Sequence, residues 1–320
     1  MLLKSLRTLA VALMAGFAAT ASAQNYPSKP IRVIVPFAVG SGTDIVTRMV
    51  TEDMSKTLGV NFVVENKPGA SGQIAAEALV AAEPDGYTIM MTTNTAHSAN
   101  PHLFKKLRYD PLKDTTPIAK VISFVFVLAV KADSPVKNAQ ELIARVKANP
   151  GKLSYGYGNS TGQVAGAHFA KVAGLDVAPV AYKSTPPAMT DIGGGQIEFM
   201  FVDVAASQAF VRSNKLKMIG LQSDQRSPLF PDLPPVGEVT PGFNFNVWGG
   251  LIGPAKLPAN VVTTLNAAAN KALTNPAIRE KLIASGLEPV PTTVEDFRKF
   301  VVEQHAAWGK SIRAAGIEAE

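Results

Sequence analysis

The residues best suited to chemistry in this chain lie in short turns rich in glycine, serine and threonine. The first turn, residues 39–44, follows an apolar run at 33–37 and precedes a segment whose apolar residues have helical spacing. The turn contains no lysine or arginine. A helix start presents free backbone N–H groups and a positive dipole end, and these features together suit a small anion. We therefore predict an anion-binding loop here, formed by amides and hydroxyls.

Three further turns of this kind follow predicted strands, at residues 69–72, 92–94 and 158–161. In open α/β sheets such strand ends line the ligand crevice, so we expect the four turns to face one cleft. Any one of them alone is more often an ordinary turn or helix cap, and the prediction depends on all four. The hydroxyl-bearing candidates are Ser41, Thr43, Ser71, Thr93, Ser160 and Thr161.

Three single residues near these turns have two interpretations each. Asp203 ends the apolar segment 199–202, where its carboxylate could cap the following helix, contact a ligand, or do both. His97 follows the polar segment 92–95 and could line the cleft or form a structural hydrogen bond. Phe37 could form a wall of the pocket, although core packing is the usual role of a phenylalanine.

Two nucleotide-binding motifs are excluded, and one catalytic motif competes with the binding hypothesis. Gly40-x-Gly42 lacks the third glycine of a dinucleotide fingerprint because Ile45 stands there, and no Gly-Lys-Ser/Thr follows a glycine-rich loop. Residues 158–162 match the G-x-S-x-G elbow of serine hydrolases, with Ser160 as nucleophile. His305 would be its base and Asp191 or Asp203 its acid. However, His305 is predicted inside a long helix, whereas the hydrolase histidine usually lies on a loop. An exported serine hydrolase stays the alternative function.

Charge and composition exclude other classes of function. The formal net charge of +6 falls to +4 without Lys4 and Arg7, since 31 − 2 = 29 and 29 − 25 = 4. The sequence has no basic block, so nucleic-acid binding has no support. With 0 cysteines, disulfides and thiolate metal sites are excluded, and the 4 histidines have no metal-ligand spacing. We therefore predict neither a metal nor a cofactor.

The N-terminus has the layout of a secretory signal peptide. Lys4 and Arg7 precede the apolar stretch 9–19, and Ala21-Ser22-Ala23 fits a small-residue cleavage site. We expect residues 1–23 to be removed after Ala23, which gives an exported, soluble mature chain that starts at Gln24.

The mature chain alternates strand-like and helix-like segments, which favours an α/β fold with mostly parallel sheets. The apolar runs 121–130 and 243–252 read as two crossings between domains. The predicted organisation is a first lobe made of residues 24–124 and 246–320, with a second lobe, 125–245, inserted into it. For the last helix, 294–314, we predict a capping box formed by Thr292 and Glu295.

With these residues in view, the chain resembles the Bug (TctC-like) family, the periplasmic substrate-binding proteins of tripartite tricarboxylate transporters. The resemblance covers essentially the whole mature chain. Each matching piece is short, and their order and spacing together make the resemblance specific. The pieces lie at 26–27, 30–32, 36–44, 65–70, 84–87, 93–94, 149–153, 182–183, 194–196, 226–228, 241–243 and Trp248.

The resemblance implies a venus-flytrap fold of the periplasmic binding protein type II, with two α/β lobes joined by two hinge crossings. It also implies a small mono- or dicarboxylate ligand and, as partners, the membrane subunits of such a transporter. The loops matching 37–44 and 69–72 would hold one carboxylate, partly through water, while the Ser160 loop and Asp203 would read the far end of the ligand. We expect a monomer. The family motifs and their neighbours add Ala38, Asp44, Asn94 and Gln163 to the candidate ligand contacts.

The chain departs from the family pattern at two places. The family often has Pro-Gly-Gly at positions 39–41 and Tyr-Lys-Gly at 182–184, where this chain has Val-Gly-Ser and Tyr-Lys-Ser. These departures concern the identity of the ligand rather than the fold. Aliphatic dicarboxylates, aromatic acids and amino acids all stay open, as does a signalling role in place of transport. Loss of carboxylate affinity is expected for Ser41→Ala.

Overall fold

The computed structural model describes residues 26–243 and 245–320, which form two mixed α/β sheets with helices packed on them. This two-lobe α/β arrangement confirms the predicted fold class, but the expectation of mostly parallel sheets is wrong, because the strands next to the two crossings pair antiparallel. The predicted signal peptide and its cleavage site lie outside the described residues. Within the described residues, no helix is both long enough and apolar enough to cross a membrane.

The first lobe is built on a six-stranded sheet with the strand order β11-β4-β10-β3-β1-β2. Strand β1 pairs in parallel with β2 and β3, whereas β10 runs antiparallel to both β3 and β4. The carboxyl ends of β1 and β3 therefore meet at one edge of the sheet. The strands are β1 (Ile31–Val35), β2 (Phe62–Asn66), β3 (Thr88–Thr93), β4 (Thr115–Phe124), β10 (Trp248–Pro254) and β11 (Leu287–Pro289).

The second lobe is built on a five-stranded sheet with the order β7-β6-β8-β5-β9. Strand β6 pairs in parallel with β7 and β8, and β5 runs antiparallel to β8 and β9. The carboxyl ends of β6 and β8 thus lie side by side, as those of β1 and β3 do in the first lobe. The strands are β5 (Phe126–Lys131), β6 (Ser154–Tyr157), β7 (Ala178–Ala181), β8 (Phe199–Asp203) and β9 (Leu216–Leu221).

Five helices follow strands of the parallel parts of the two sheets, so their positive N-terminal ends lie at the carboxyl edge of those strands; these helices begin at Gly42, Gln73, Ser160, Thr185 and Val204. A π-helical turn (Thr95–Ala99) follows β3. The helices are α1 (Gly42–Leu58), α2 (Gln73–Val80), α3 (Asn100–Leu103), α4 (Ala139–Lys147), α5 (Ser160–Ala173), α6 (Thr185–Gly194), α7 (Val204–Arg212), α8 (Ala259–Thr274), α9 (Pro276–Ala284) and α10 (Val294–Ala315).

The chain passes from the first sheet to the second between β4 and β5, and returns between β9 and β10. The apolar run 121–130 is therefore split at Val125 into two strands that belong to different sheets. The backbone N–H of Val125 donates to the carbonyl of Gly286, a residue of the first lobe, at 3.2 Å. The exact lobe boundaries, 24–124, 125–245 and 246–320, stay a prediction.

Each sheet buries its own apolar core, and a smaller cluster joins the lobes. We call the joining group the Trp308 cluster; it comprises Ala99, Leu103, Val164, Trp308, Ile312 and Ala315. Val164 belongs to α5 of the second lobe, while Trp308 and Ile312 belong to α10 of the first. Phe245, in the returning connection, stacks on Trp308 with ring centroids 6.0 Å apart. The lobes therefore share apolar contact outside the polar cleft.

The predicted capping box of the last helix is wrong by one residue. Thr293, not Thr292, caps α10, and its hydroxyl accepts from the backbone N–H of Asp296 at 3.1 Å. The hydroxyl of Thr292 instead accepts from the backbone N–H of Lys120 at 3.2 Å. Pairing with a neighbouring strand thus removes Thr292 from the cap.

Candidate ligand-binding site

The loop at the start of α1 is closed by its own side chains. Ser41 is the N-cap of α1, and its Oγ accepts from the backbone N–H of Asp44 at 3.3 Å. The backbone N–H of Gly40, where φ is +81°, donates to Asp44 Oδ2 at 3.1 Å. A left-handed φ suits glycine, which explains this residue at the turn. The loop therefore presents the start of α1 in a fixed orientation toward the cleft.

Asp44 anchors this loop to strand β2. Its Oδ1 accepts from Arg48 Nε at 3.0 Å and from Asn66 Nδ2 at 2.9 Å, and the same amide nitrogen donates to the carbonyl of Phe37 at 2.9 Å. Burial alone would raise the pKa of Asp44, but the hydrogen bonds from Arg48, Asn66 and Gly40 outweigh it and hold that pKa below its usual value. Asp44 thus stabilises the loop through the hydrogen bonds that it accepts.

An inner cavity lies between the lobes, where the strand ends of both sheets meet. It holds about 240 Å³ of space free of protein atoms, including open solvent. Among the described residues that line it there is no lysine, arginine or histidine, so an anion would be held by amides, hydroxyls and helix ends. The lining residues are Phe37, Thr43, Thr93, Asn94, Thr95, Phe124, Phe126, Asn159, Thr161, Asp203 and Val247.

Polar bonds join the lobes around this cavity. Asn94 Nδ2 donates to Thr161 Oγ1 at 2.8 Å. The backbone N–H of Ala38 donates to Ser184 Oγ at 3.1 Å. A third bond runs from Ser160 Oγ to Asn100 Oδ1 at 3.2 Å. These contacts hold the two lobes in a closed arrangement.

Asp203 is the acidic group of the inner cavity. It is the N-cap of α7, where its Oδ1 accepts from the backbone N–H of Ala206 at 2.8 Å. Its carboxylate also lies directly against Gly42 at the start of α1 in the other lobe, so closely that a Cβ there would overlap it. Burial raises the pKa of Asp203 to about 6, against the lowering effect of the bond from Ala206. Asp203 thus caps α7 and faces the cleft, while its contact with a ligand stays a prediction.

A larger, outer cavity adjoins the inner one through Asn159, which lines both. It encloses about 860 Å³ including open solvent. Its wall includes Ser71 and Gln163, together with Tyr157 and Tyr182. The carbonyl of Ser71 accepts from Asn100 Nδ2 at 2.9 Å. The turn 69–72 therefore faces this outer space.

His97 lies behind the cavity wall. It is 1% exposed in the π-helical turn, and its ring lies 5.9 Å from that of Trp248 in an edge-on arrangement. Burial, followed by the nearby His305, lowers the pKa of His97 to about 3, so its ring is neutral at physiological pH. Its Nε2 has no partner among the described residues.

The hydrolase triad is not assembled among the described residues. Ser160 is fully buried and its hydroxyl donates to Asn100, not to a histidine. His305 instead packs against the ring of His102, with centroids 4.7 Å apart, and Asp191 accepts from Tyr182 Oη at 2.6 Å. The G-x-S-x-G match reflects a strand-to-helix turn without the partners that would activate its serine.

The sequence candidates therefore occupy three kinds of position. Those on the wall of the inner cavity are Phe37, Thr43, Thr93, Asn94, Thr161 and Asp203. Ser71 and Gln163 line the outer cavity. The remaining candidates lie close to the cavities but line neither of them; they are Ala38, Ser41, Asp44, His97 and Ser160.

Several wall residues were missed by the sequence reasoning. Phe124, Phe126 and Val247 lie in or beside the two predicted crossings, where apolar character suggested only a hinge. Asn159 lies inside the predicted turn 158–161, and its side chain caps α5 by accepting from the N–H of Gly162 at 2.9 Å. Ser184 lines neither cavity but accepts from the N–H of Ala38 across the lobes, and the sequence indicated it only as a departure from the family pattern. Within the described residues, no group of three or more histidine, cysteine, aspartate or glutamate side chains could hold a metal ion.

Comparison with known proteins places this geometry in a family. Residues 46–317 match the family described as the tripartite tricarboxylate transporter family receptor, TctC. The chain is 34% identical over 310 residues to a UPF0065 protein of Bordetella bronchiseptica, and the match covers 97% of this chain and 92% of that protein.

Solved structures agree in fold, and two of them hold a dicarboxylate. The periplasmic binding protein BugD superposes with a TM-score of 0.87 at 32% identity, covering 92% of this chain and 100% of BugD. An R. palustris protein solved with adipate gives 0.89 at 27% identity, with 92% and 100% covered. MatC from Rhodopseudomonas palustris, with bound malate, gives 0.84 at 30% identity, with 90% and 100% covered. This chain, with its two lobes and with no lysine, arginine or histidine on the described wall of the inner cavity, belongs to the TctC family of tripartite tricarboxylate transporter receptors.

Proposed function

We propose that this protein is a periplasmic solute-binding protein that captures a small organic acid between its lobes and delivers it to the membrane subunits of a tripartite tricarboxylate transporter. The carrying observation is the inner cavity, where both lobes contribute polar strand ends and helix starts without a cation. Export would follow cleavage after Ala23, and the mature chain would act as a monomer. The structures of relatives with adipate and malate support an acid as ligand.

Thr43 offers a sharp test of the cavity as the carboxylate site. Its hydroxyl forms no hydrogen bond within the described residues and lies on the cavity wall at the start of α1. The neighbouring Thr47 hydroxyl, one helical turn on, is instead bonded to the carbonyl of Thr43 at 2.6 Å. The two threonines therefore differ in what they can offer to a ligand.

The experiment is a thermal-shift and calorimetric screen of short mono- and dicarboxylates on the mature chain. A bound acid should raise the melting temperature, while its methyl ester should not, because the ester lacks the anion. Thr43→Val should weaken binding about tenfold, as one lost hydrogen bond to a charged group predicts, and Thr47→Val should not. Failure of every carboxylate to bind would overturn the proposal.

Two further arms test the rest of the proposal. We expect no ester hydrolysis by the wild-type chain, and turnover that disappears in Ser160→Ala would instead establish the hydrolase. For delivery, vesicles carrying the membrane subunits should accumulate a labelled acid only when the binding protein is added. Equal accumulation without the protein would contradict the transport role.

A further inference from the structure

The carboxylate of Asp203 lies beside the proposed anion site, although it belongs to the opposite lobe. Gly42 is the first residue of α1, and a Cβ at that position would overlap Asp203 Oδ1. Asp203 is 4% exposed and lines the inner cavity. A negative group therefore stands within the cleft next to the helix start that would attract the ligand carboxylate.

This carboxylate has few partners. Among the described residues it forms no salt bridge, and the cavity wall around it has no lysine, arginine or histidine. Its hydrogen-bonding partner is the backbone N–H of Ala206. A buried carboxylate in such surroundings favours a cation or a strong hydrogen-bond donor nearby.

A second acceptor belongs to another residue of the same wall. Asn94 is 1% exposed and lines the inner cavity. Its Nδ2 donates to Thr161, whereas its Oδ1 has no partner among the described residues. The cavity wall thus combines the start of α1 with two acceptor groups, the carboxylate of Asp203, which lies against Gly42, and the amide oxygen of Asn94.

Resting on the proposed function, we propose that the ligand is a small α-amino acid, held as a zwitterion. Its carboxylate binds at the start of α1 beside Thr43, and its ammonium group donates to Asp203 and to Asn94 Oδ1. In an α-amino acid the two charges are attached to adjacent carbons, which matches a cleft whose positive helix end and negative side chain are also adjacent.

The same geometry disfavours an acid without a donor. The carboxylate of such an acid would lie next to Asp203 with nothing to balance the like charges, which opposes binding. An ammonium beside the carboxylate converts that repulsion into a charge-assisted hydrogen bond. The raised pKa of Asp203 agrees with an anion that lacks a partner in the protein.

The test measures calorimetric affinities of the wild-type mature chain for ligands that differ at one carbon. Two sets serve: propionate, lactate and alanine; and succinate, malate and aspartate. The amino member of at least one set should bind about 10- to 100-fold more tightly than its unsubstituted member. Alaninamide, which lacks the carboxylate, should not bind.

The Asp203→Asn variant should remove most of that preference, because an amide keeps the cap but loses the charge. Asp133→Asn, at an exposed aspartate paired with Lys131, is the matched control and should leave it unchanged. Equal or tighter binding of the unsubstituted acid, or of the hydroxy acid, by the wild type would overturn the amino-acid inference and leave the proposed function standing. Binding of no carboxylate at all would overturn both.

Discussion

Asp44 and Asp203 are both buried aspartates at helix starts on the two sides of one cleft, and their surroundings are opposite. Asp44 accepts bonds from Arg48, Asn66 and the backbone of Gly40. Asp203 accepts one from Ala206. Burial acts on both, but the partners of Asp44 hold its pKa down, whereas burial raises the pKa of Asp203 to about 6.

This difference indicates a structural role for Asp44 and a binding role for Asp203. The hydrogen bonds of Asp44 are used within its loop, so it stabilises the shape of the proposed anion site. Asp203 has a charge that its lobe does not neutralise, and it reaches the other lobe. A group that costs stability is expected where function needs it.

Gly42→Ala should have the largest effect on binding, with affinity for the ligand falling on the order of 100-fold, or about 3 kcal/mol. The added Cβ would overlap the carboxylate of Asp203 and force the lobes apart at that point. The first turn of α1 itself should tolerate alanine, which is the best helix former. Calorimetric titration measures the affinity.

The matched control for this substitution is Glu52→Ala, on the exposed face of the same helix. Its affinity should equal that of the wild type. Full affinity in Gly42→Ala would show that Asp203 and α1 need not approach each other in the bound state.

Asp203→Asn should stabilise the protein by about 3 kcal/mol at pH 7.5, by conversion of the pKa rise from 3.8 to about 6. A raised carboxyl pKa means that the folded state binds the proton more tightly than the unfolded state. Wild-type stability therefore falls as the pH rises from about 4 to 6, and asparagine, which also caps helices, removes that loss. Urea unfolding at several pH values measures the difference.

The advantage of this variant should shrink to about 1 kcal/mol at pH 4.5, where the wild-type side chain is protonated in the folded state. Asp133→Asn again serves as the exposed control. A variant that is less stable than the wild type at pH 7.5 would mean that Asp203 is as well satisfied as Asp44, and the contrast would fail.

Asp44→Asn should act in the other direction and cost about 2 kcal/mol at neutral pH, since it weakens charge-assisted bonds from Arg48 and Gly40. Because the pKa of Asp44 is lowered in the folded state, its carboxylate stabilises the protein at pH values above the unfolded pKa near 4. This stabilisation is lost as the pH falls through the lower pKa of the folded state. The difference from the wild type should therefore narrow on acidification. Glu52→Gln, on the same helix, is the control for urea unfolding; a gap that widens in acid would contradict the assignment.

Ser41→Ala should give the smallest effect, about 1 kcal/mol of unfolding free energy, because it removes the cap of α1. Carboxylate affinity should fall modestly as the start of α1 loosens. Ser55→Ala removes a hydroxyl that donates to the carbonyl of Thr51 within the same helix, and should leave affinity unchanged. Unchanged affinity in Ser41→Ala as well would move the proximal site away from this helix start.

The sequence predicted the order of elements well because each strand is an apolar run that ends in a small polar turn. The predicted turn 39–44 does separate β1 from α1, although α1 begins inside it, at Gly42, because the cap is Ser41. The split of 121–130 between two sheets was foreseen as a crossing.

Contacts between segments that lie far apart in the chain could not be predicted from local sequence patterns. The bond between Ala38 and Ser184 joins residues 146 positions apart, and nothing in either turn alone indicates the other. The same holds for Gly42, whose need to be glycine arises from Asp203 in the opposite lobe. The π-helical turn at Thr95–Ala99 also escaped prediction, because its sequence resembles an ordinary helix start.

The Trp308 cluster gives the protein a built-in optical signal. The sequence has 2 tryptophans. Trp248 is fully buried in the core of the first lobe, whereas Trp308 lies between the lobes and stacks on Phe245. Separation of the lobes would expose the indole of Trp308 to water and leave that of Trp248 buried. The emission maximum should therefore shift to the blue as the ligand closes the lobes, with Trp308→Phe abolishing the shift, so that closure can be followed in stopped flow without a label.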